Sequence, residues 1–389
     1  MPDKPIILVA IDWYLPAFKG GGPIQSVANI ISHLGHLYQF RIITGDRDLR
    51  DKKPFDNITF DKVILAQDNT ATCYISKPNQ TYVFLQNLIS HSDANILYLN
   101  SMFSVKFSLL PLLISKRIKK NMSVIIAPRG MLADGALSIK PIKKKIFLQL
   151  AKSFGWYRNV IWHASTELES TEIKKIFGDT AIIKVARNLS HKQNIIAQPK
   201  QKEKGTLRLA FLSRIARKKN LLAVFDYMQN TNPQAKIIFD IFGNIDEPDY
   251  WQQCETKIKN LPSHVQCNYK GEVPQHLINT TLLQYDFTIL PTLNENYGHA
   301  IVESWSAGCP VILSDNTPWR NLEQQNLGWD INLSRPEQFT RAIDKCVDID
   351  NNEYNKMSNA CFIFAQQVVN NNDAVQQNIE LFNIALNKK

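Results

Sequence analysis

Two glutamates with a fixed spacing lie in the stretch 291–310, PTLNENYGHAIVESWSAGCP. Glu295 and Glu303 are separated by seven residues, and a short polar turn lies between them. An apolar strand precedes the stretch, and the pattern over 300–307 predicts a helix that a Gly-Cys-Pro sequence ends. We therefore expect Glu295 in front of a helix and Glu303 about one turn inside it. Free N–H groups at a helix N-terminus favour anions, so the site suits a diphosphate beside sugar hydroxyls.

The order of strand, loop, turn and helix stop resembles the Glu–seven–Glu signature of retaining glycosyltransferases of family 4. The resemblance implies an α/β protein of the GT-B fold, with two Rossmann-like βαβ domains facing across a cleft. It implies that Glu295 binds the transferred sugar and Glu303 the donor ribose. It also places donor contacts at Asn296, Tyr297 and Gly298. The alternative interpretation is an ordinary βαβ unit with two surface glutamates.

A basic loop follows an earlier apolar strand, 207–212 (LRLAFL), and precedes a helix. Folds of the α/β class bind phosphates at the carboxyl ends of their strands, where Arg supplies a fork and Lys a point charge. In the family's matching motif an Arg and a Lys five residues later clamp the donor diphosphate. By position these are Arg214 and Lys219, and we interpret Arg217 and Lys218 as solvated neighbours. A plain basic loop that faces water is the alternative.

Three glycines and a proline, residues 20–23, follow the apolar run 5–11. Pro23 fits the first turn of a helix through about Leu37, and glycines there allow a ligand to approach the backbone. The family has a similar loop over its cleft, so the resemblance implies donor contacts at Gly21 and Gly22. A flexible loop with a helix cap remains the alternative.

Another apolar strand, 123–127, ends in the string PRGML. This string resembles a subgroup of family 4 found among bacterial surface-polysaccharide enzymes, in which Arg129 replaces a histidine of the cleft. The resemblance implies that Arg129 contacts substrate in the cleft, and a structural ion pair is the alternative. Two further positions match the family's nucleobase pocket, Gly243 and Val273.

Length and composition agree with a two-domain protein. A chain of 389 residues exceeds one ordinary core. We expect an N-terminal acceptor-binding domain over 1–195, a nucleotide-sugar-binding domain over 196–365 and a C-terminal helix, 366–389, that returns to the first domain. The polar string 198–205, QPKQKEKG, is typical of an interdomain linker. The six cysteines show no close pair, which favours buried thiols over zinc ligands or disulfides.

The charge balance bears on partners and location. The net charge is +10, with basic clusters at 116–120 and 140–145. No nucleic-acid module accompanies them, so peripheral contact of the N-terminal domain with an anionic membrane is the hypothesis, against a merely solvated face. No apolar stretch approaches the roughly 20 residues that span a bilayer. The first residues have the pattern of a core strand, so we expect no leader peptide and a cytoplasmic protein, with the inner face of the cytoplasmic membrane as its place of work.

The resemblance implies transfer with retention from a UDP- or GDP-sugar to a saccharide hydroxyl, without a metal or other cofactor. The acceptor expected for the subgroup is a lipid-linked oligosaccharide of O-antigen or capsule synthesis. A GT-B sugar-nucleotide epimerase and a noncatalytic GT-B-like partner subunit are the alternatives.

Overall fold

The computed structural model describes residues 4–65, 70–118, 121–138, 141–192 and 200–388. The chain forms two compact units, one built from residues 1–192 and 371–389 and the other from residues 193–370. The predicted boundary at 195–196 lies outside the described residues.

The first unit contains an eight-stranded sheet in the order β3-β4-β2-β1-β5-β6-β7-β8. Its strands are β1 (Ile6–Ala10), β2 (Gln39–Gly45), β3 (Val63–Leu65), β4 (Ala71–Ile75), β5 (Ile96–Leu99), β6 (Ser123–Ile126), β7 (Ile161–Ala164) and β8 (Ile182–Val185). All neighbours pair in parallel except β3, which runs antiparallel to β4.

Helices cover both faces of this sheet. They are α1 (Gly22–Leu34), α2 (Tyr82–Ser90), α3 (Leu110–Arg117), α4 (Asp134–Leu137), α5 (Pro141–Ser153), α6 (Glu167–Phe177) and, from the end of the chain, α13 (Asn372–Asn387). Side chains alternate along β1: Ile7 and Val9 pack with α1 and α13, and Leu8 and Ala10 pack on the opposite face with α2, α3 and α6. Because both faces are covered, the central strands β1 and β5 are apolar along their whole length.

The second unit contains a six-stranded parallel sheet in the order β11-β10-β9-β12-β13-β14. Its strands are β9 (Thr206–Leu212), β10 (Lys236–Phe242), β11 (Val265–Gly271), β12 (Phe287–Leu290), β13 (Val311–Ser314) and β14 (Gly328–Ile331). Its helices are α7 (Leu221–Met228), α8 (Pro248–Lys259), α9 (Ile278–Leu282), α10 (His299–Ser306), α11 (Pro336–Asp348) and α12 (Asn351–Val369). The strand order reverses between β9 and β12, and such a switch point opens a crevice at the carboxyl ends of the strands.

The polar string expected to be a linker is part of the second unit where it is described. Lys200 is 7% exposed, and its Nζ donates to the backbone oxygens of Leu282 (3.2 Å) and Tyr285 (2.8 Å) and lies 2.9 Å from Cys309 Sγ. Lys202 is also buried. The linker interpretation is therefore wrong from residue 200 onward, because an apolar lysine stem can be buried when its ammonium finds backbone acceptors.

Among the described residues, no helix is both long and apolar enough to cross a membrane. The six cysteines are free, and all except the half-buried Cys267 are buried, as predicted.

Candidate functional site

The two loops predicted to carry the chemistry lie side by side at the switch point of the second sheet. One loop follows β9 and the other follows β12, the two strands between which the order reverses. Backbone contacts join them: Leu293 N donates to Lys218 O over 2.8 Å, and Thr292 Oγ1 donates to the same oxygen over 3.0 Å. Glu295 N donates to Asn316 O over 2.9 Å, which fixes the second loop to the segment after β13. The backbone thus sets the positions of both loops.

Lys219 and Glu295 form an ion pair across these loops. Lys219 Nζ donates to Glu295 Oε2, and the two side chains are only 13% and 16% exposed. Asn220 follows Lys219 with φ = 58°, a left-handed turn that starts α7. The expected diphosphate clamp and the expected sugar-binding carboxylate are therefore adjacent, although 76 positions separate them in the chain.

Several cations set the ionisation of Glu295. Burial raises the pKa of this carboxyl, but the charges of Lys219, Lys218 and Arg214 outweigh burial and hold the pKa below the ordinary 4.5. Glu295 is therefore a carboxylate at neutral pH. Lys218 is half-buried and acts on this carboxylate, so the interpretation of Lys218 as a solvated neighbour is wrong.

Arg214 and Arg217 have different surroundings. Arg214 is half-buried, and its Nη1 lies 3.3 Å from Asp246 Oδ2. The exposed Arg217 pairs with Glu247 (3.3 Å) and lies 5.3 Å from the centre of the Tyr250 ring. Arg214 thus belongs to the charge cluster around Glu295. Arg217 is exposed, as expected, and also contacts the start of α8.

The start of α10 faces the same crevice. Gly298 caps the helix with φ = 82° and, as a glycine, has no side chain that could accept a hydrogen bond from the first N–H groups of the helix. A Cβ on Gly298 would lie 2.5 Å from Ile301 Cδ1 and 3.1 Å from Glu295 Cγ, so only glycine fits against the carboxylate. Tyr297 O accepts a hydrogen bond of 2.7 Å from the indole of Trp319. Asn296, on the same turn, directly follows Glu295.

Glu303 has a different partner and the opposite pKa shift. It lies in the second turn of α10, and its Oε1 accepts a hydrogen bond of 2.6 Å from Gln275 Nε2. Burial raises the pKa of Glu303 above its ordinary value, and the hydrogen bond from Gln275 opposes this only in part. Gln275 has no signal in the sequence, since its short helical turn, Gln275–Leu277, comes near Glu303 only through the fold.

Gly243 and Val273 follow neighbouring strands of the same sheet edge. Gly243 has φ = 137°, and a Cβ there would lie 1.9 Å from Ser213 O, so this glycine allows the loops after β9 and β10 to touch. Gly243 N donates to Gly271 O over 2.8 Å. Val273 is half-buried and packs against the apolar cluster that includes Phe242 and Ala307. Both positions line the edge where the resemblance puts the nucleobase, and their role stays a prediction.

The raised pKa of Glu303 predicts a pH-dependent gain of stability on substitution. Ionising this carboxyl opposes folding, so its cost appears as pH rises above 4.5 and is complete above the folded pKa. Glu303→Gln should therefore melt higher than the parent chain at pH 7, and the difference should vanish near pH 4. Glu295→Gln is the matched control, because its lowered pKa predicts the opposite sign at pH 7. Equal melting temperatures for Glu303→Gln and parent at pH 7 would contradict the prediction.

The glycine loop of the first unit follows β1 at the edge where strand order reverses between β1 and β5. Gly21 has φ = 68° and caps α1, and Gly22 is the first residue of the helix. Asp48 Oδ2 accepts hydrogen bonds from the N–H groups of Phe18 (2.8 Å) and Lys19 (3.1 Å), which holds the loop. Asp48 therefore fixes the position of the middle of this loop. Contact between the loop and a donor stays a prediction.

Arg129 lies within a polar network in the first unit. Its Nε donates to Asn100 Oδ1 (2.7 Å), its Nη2 to Tyr98 Oη (2.7 Å), and its Nη1 to Asn188 Oδ1. Asn100 Nδ2 in turn donates to Pro23 O over 3.1 Å, which joins this network to the start of α1. Within the described ranges no carboxylate pairs with Arg129, so the alternative of a structural ion pair finds no partner there.

The tyrosine of this network is bound to a buried histidine. Tyr98 Oη lies 2.8 Å from His163 Nδ1, and His163 Nε2 lies 2.8 Å from Ala186 O. Burial, with the nearby Arg129 charge, lowers the pKa of His163 to about 3. His163 is therefore neutral, donates to Ala186 O and accepts from Tyr98. Because the Tyr98 hydroxyl donates to His163, it can only accept from Arg129. Three of the five N–H donors of Arg129 are therefore used within this network.

In the part of the chain that the structure describes, no group of three or more His, Cys, Asp or Glu side chains could hold a metal ion. The expectation of catalysis without a metal stays a prediction.

Comparison with known proteins adds one sequence match and several structural ones. Residues 192–361 match the family model described as glycosyl transferases group 1, which covers most of the second unit. No curated protein sequence matches the chain. The crystal structure of Anabaena HepE in complex with UDP and glucose is similar over 98% of this chain and 100% of its own, with a TM-score of 0.71 and 14% identity.

Two further structures resemble the chain over nearly their whole length. Sucrose-phosphate synthase from Thermosynechococcus elongatus has a TM-score of 0.69 at 13% identity and covers 98% of this chain and 99% of its own. A glycosyltransferase from Rickettsia africae has a TM-score of 0.68 at 13% identity over 100% of both chains. At these identities the likeness concerns the fold. The predicted fold class, α/β of the GT-B type with two Rossmann-like domains, is confirmed.

Proposed function

We propose that this protein is a retaining glycosyltransferase of family 4 that moves a sugar from a nucleoside diphosphate sugar to a hydroxyl of a saccharide acceptor. The observation that carries the proposal is the Lys219–Glu295 pair at the switch point of the second sheet, with the Arg214 charge nearby. Cations at the carboxyl ends of strands suit a diphosphate, and a carboxylate beside them suits sugar hydroxyls. The matched family model and the UDP complexes of HepE support the same donor class.

In this proposal the donor lies along the edge of the second sheet. Arg214 and Lys219 bind the diphosphate together with the N-terminus of α10 at Asn296, Tyr297 and Gly298. Glu295 binds the transferred sugar and Glu303 the ribose, while the base lies near Gly243 and Val273. In the first unit, Gly21 and Gly22 contact the donor, and Arg129 contacts the acceptor or another part of the substrate. The nucleotide of this donor is UDP or GDP.

Charge stabilisation drives the proposed reaction. The bond between the anomeric carbon and the phosphate oxygen breaks, which leaves positive charge on the sugar ring and negative charge on the diphosphate. Arg214, Lys219 and the helix N-terminus stabilise the leaving diphosphate, so these groups replace a divalent metal. The acceptor hydroxyl then bonds to the anomeric carbon from the same face, and its proton passes to the leaving phosphate oxygen. Retention follows from that geometry.

The acceptor belongs to the proposal as well. The PRGML string supports an enzyme of surface-polysaccharide synthesis acting on a lipid-linked oligosaccharide for O-antigen or capsule. A lipid-linked acceptor requires the enzyme to work at a membrane surface, and the basic first unit supports peripheral contact at the cytoplasmic face. A sugar-nucleotide epimerase with the same fold is the second candidate, and the intact donor site favours either enzyme over a noncatalytic partner subunit.

A panel of UDP- and GDP-sugars tests the donor class by thermal shift, with and without EDTA. At about 100 times Kd a ligand adds about 2.7 kcal/mol, which raises Tm by roughly 5–10 °C for a domain of this size. We expect such a rise for one sugar nucleotide and no effect of EDTA. If no member of the panel shifts Tm, the donor class is wrong. Product analysis with and without a saccharide acceptor then separates transfer from epimerisation, since an epimerase alters its donor when no acceptor is present.

A further inference from the structure

The positive charge of this chain is concentrated in one segment of the first unit. Between Ala94 and Thr166 the sequence has twelve Lys and Arg residues and one carboxylate, Asp134. The other 316 residues have 33 Lys and Arg against 34 Asp and Glu, so they are almost neutral. The whole net charge of +10 therefore belongs to 73 consecutive residues. Such an excess points to a polyanionic partner.

Helix α5 lies inside this segment and turns an apolar stripe outward. Ile142, Ile146 and Leu150, four residues apart, are 73%, 52% and 43% exposed, and Phe154 just beyond the helix is 69% exposed. Spacing by four places these side chains on one face of the helix. The opposite face carries Ala151, which is 1% exposed in the core. The helix is thus attached by one side and unpartnered on an apolar other side.

Lysines flank the stripe. On a helical projection Lys143 lies on one side of it and Lys145 and Lys152 lie on the other, and all three are exposed. Lys144 instead turns inward, donating to Ala136 O over 2.6 Å and lying 5.2 Å from the centre of the Phe103 ring. Lys140, with Lys119 and Lys120, lies outside the described residues. Helix α5 itself contains no carboxylate that could neutralise these charges.

A cationic cavity of about 680 Å³ continues from the end of the stripe. Lys152 and Phe154 belong to its lining, together with Lys116, Arg158 and Lys388. Lys116 Nζ donates to Gly155 O (2.9 Å) and Lys388 Nζ to Asn159 O (2.7 Å), which fixes both stems at the cavity wall. The apolar stripe and the anion-attracting cavity form one continuous surface.

We infer that this surface, α5 with Phe154 and the adjoining cavity, lies in the interface of a bilayer that contains anionic lipid. An exposed apolar face bounded by lysines is the pattern of an interfacial helix: the stripe enters the boundary between headgroups and acyl chains, and the lysines remain at the phosphates. A soluble polyanion would use the lysines and leave the apolar stripe in water. The inference names the surface that makes the membrane contact of the proposed function. Only the biological reason for this contact rests on the proposed function.

Vesicle flotation with the full chain tests this inference. We expect the protein to float with vesicles of phosphatidylcholine and phosphatidylglycerol and not with phosphatidylcholine alone. Lys143→Glu with Lys145→Glu should lower the bound fraction at least about tenfold at low salt, since each cation near the surface contributes measurably. Ile146→Ser with Leu150→Ser should lower it comparably, and raised salt should not restore it.

Matched controls come from elsewhere in the chain. Lys259→Glu with Lys356→Glu makes the same charge change at exposed positions of the second unit. Leu168→Ser with Ile363→Ser removes apolar side chains that are 63% and 59% exposed. Both controls should float like the parent chain. No flotation of the parent, equal loss in the controls, or indifference to Ile146 and Leu150 would each overturn the inference. Nucleotide binding measured on the same variants keeps this outcome separate from a failure of the transferase proposal.

Discussion

Glu295→Gln is expected to slow sugar transfer by roughly 10²- to 10⁴-fold while binding of the nucleoside diphosphate alone stays equal or becomes tighter. A hydrogen bond from a hydroxyl to a carboxylate contributes about 1.5–3 kcal/mol, and losing two gives this range of rates. A nucleoside diphosphate lacks the transferred sugar and so loses no contact with Glu295. It also finds Lys219 free, because in the parent protein this ammonium binds Glu295. Initial rates and titration calorimetry measure the two effects.

The control for this substitution is Glu323→Gln. Glu323 also binds a lysine, Lys345, over 2.9 Å, yet its side chain is 63% exposed and it lies between β13 and β14. Its substitution should alter neither rate nor affinity. Weaker binding of the nucleoside diphosphate by Glu295→Gln would mean that Glu295 acts at the phosphates and not at the transferred sugar. Near-normal turnover would mean that Glu295 is not part of the active site.

Arg214→Ala is expected to lower turnover by about 10²–10³-fold and to weaken diphosphate binding, since it removes one charged group from the developing negative charge. Arg214→Lys should recover only part of the loss, because lysine keeps the charge and lacks the fork. Steady-state rates and diphosphate affinity are the measurements. The chain should remain folded, because the guanidinium is only half-buried and its ion pair with Asp246, over 3.3 Å, lies outside the apolar core.

Arg217→Ala supplies the matched control three positions along the same loop. It removes an equal charge, but Arg217 is held by Glu247 and Tyr250, away from Glu295. We expect a small loss of stability and unchanged turnover. Equal losses of turnover in both variants would mean that Arg214 contributes only to the overall positive charge of the loop and has no specific role.

Much of the fold was predictable because its strands contain short apolar runs, which are uninterrupted in the central strands β1 and β5. The strands expected over 207–212 and 123–127 correspond to β9 and β6 within one residue at each end. The strands β3, β4, β8 and β14 were not predicted. They are three to five residues long, and β3 and β8 are partly exposed at sheet edges, so their apolar pattern is weak.

The candidate site was predictable where its residues occupy a motif and not where the fold joins distant segments. The spacing of Glu295 and Glu303 indicated a carboxylate on a loop and another inside a helix, which the bounds of α10 confirm. The same spacing does not reveal that the two acids have opposite pKa shifts. The lowered pKa of Glu295 depends on Lys219 and Lys218, which come from a separate turn, and the raised pKa of Glu303 depends on its burial by the fold. Buried Lys200 was missed for a related reason, since its acceptors are backbone oxygens more than 80 positions away.

The contact between Lys219 and Glu295 has a consequence for the end of each catalytic cycle. In the proposed reaction a complete donor offers both partners at once, phosphate for the ammonium and hydroxyls for the carboxylate. After transfer the spent nucleotide satisfies only the ammonium and leaves the carboxylate facing a cationic cluster without a ligand. Closure of the internal pair then competes with the spent nucleotide for the same ammonium. The ion pair of the resting site therefore favours release of the nucleotide product.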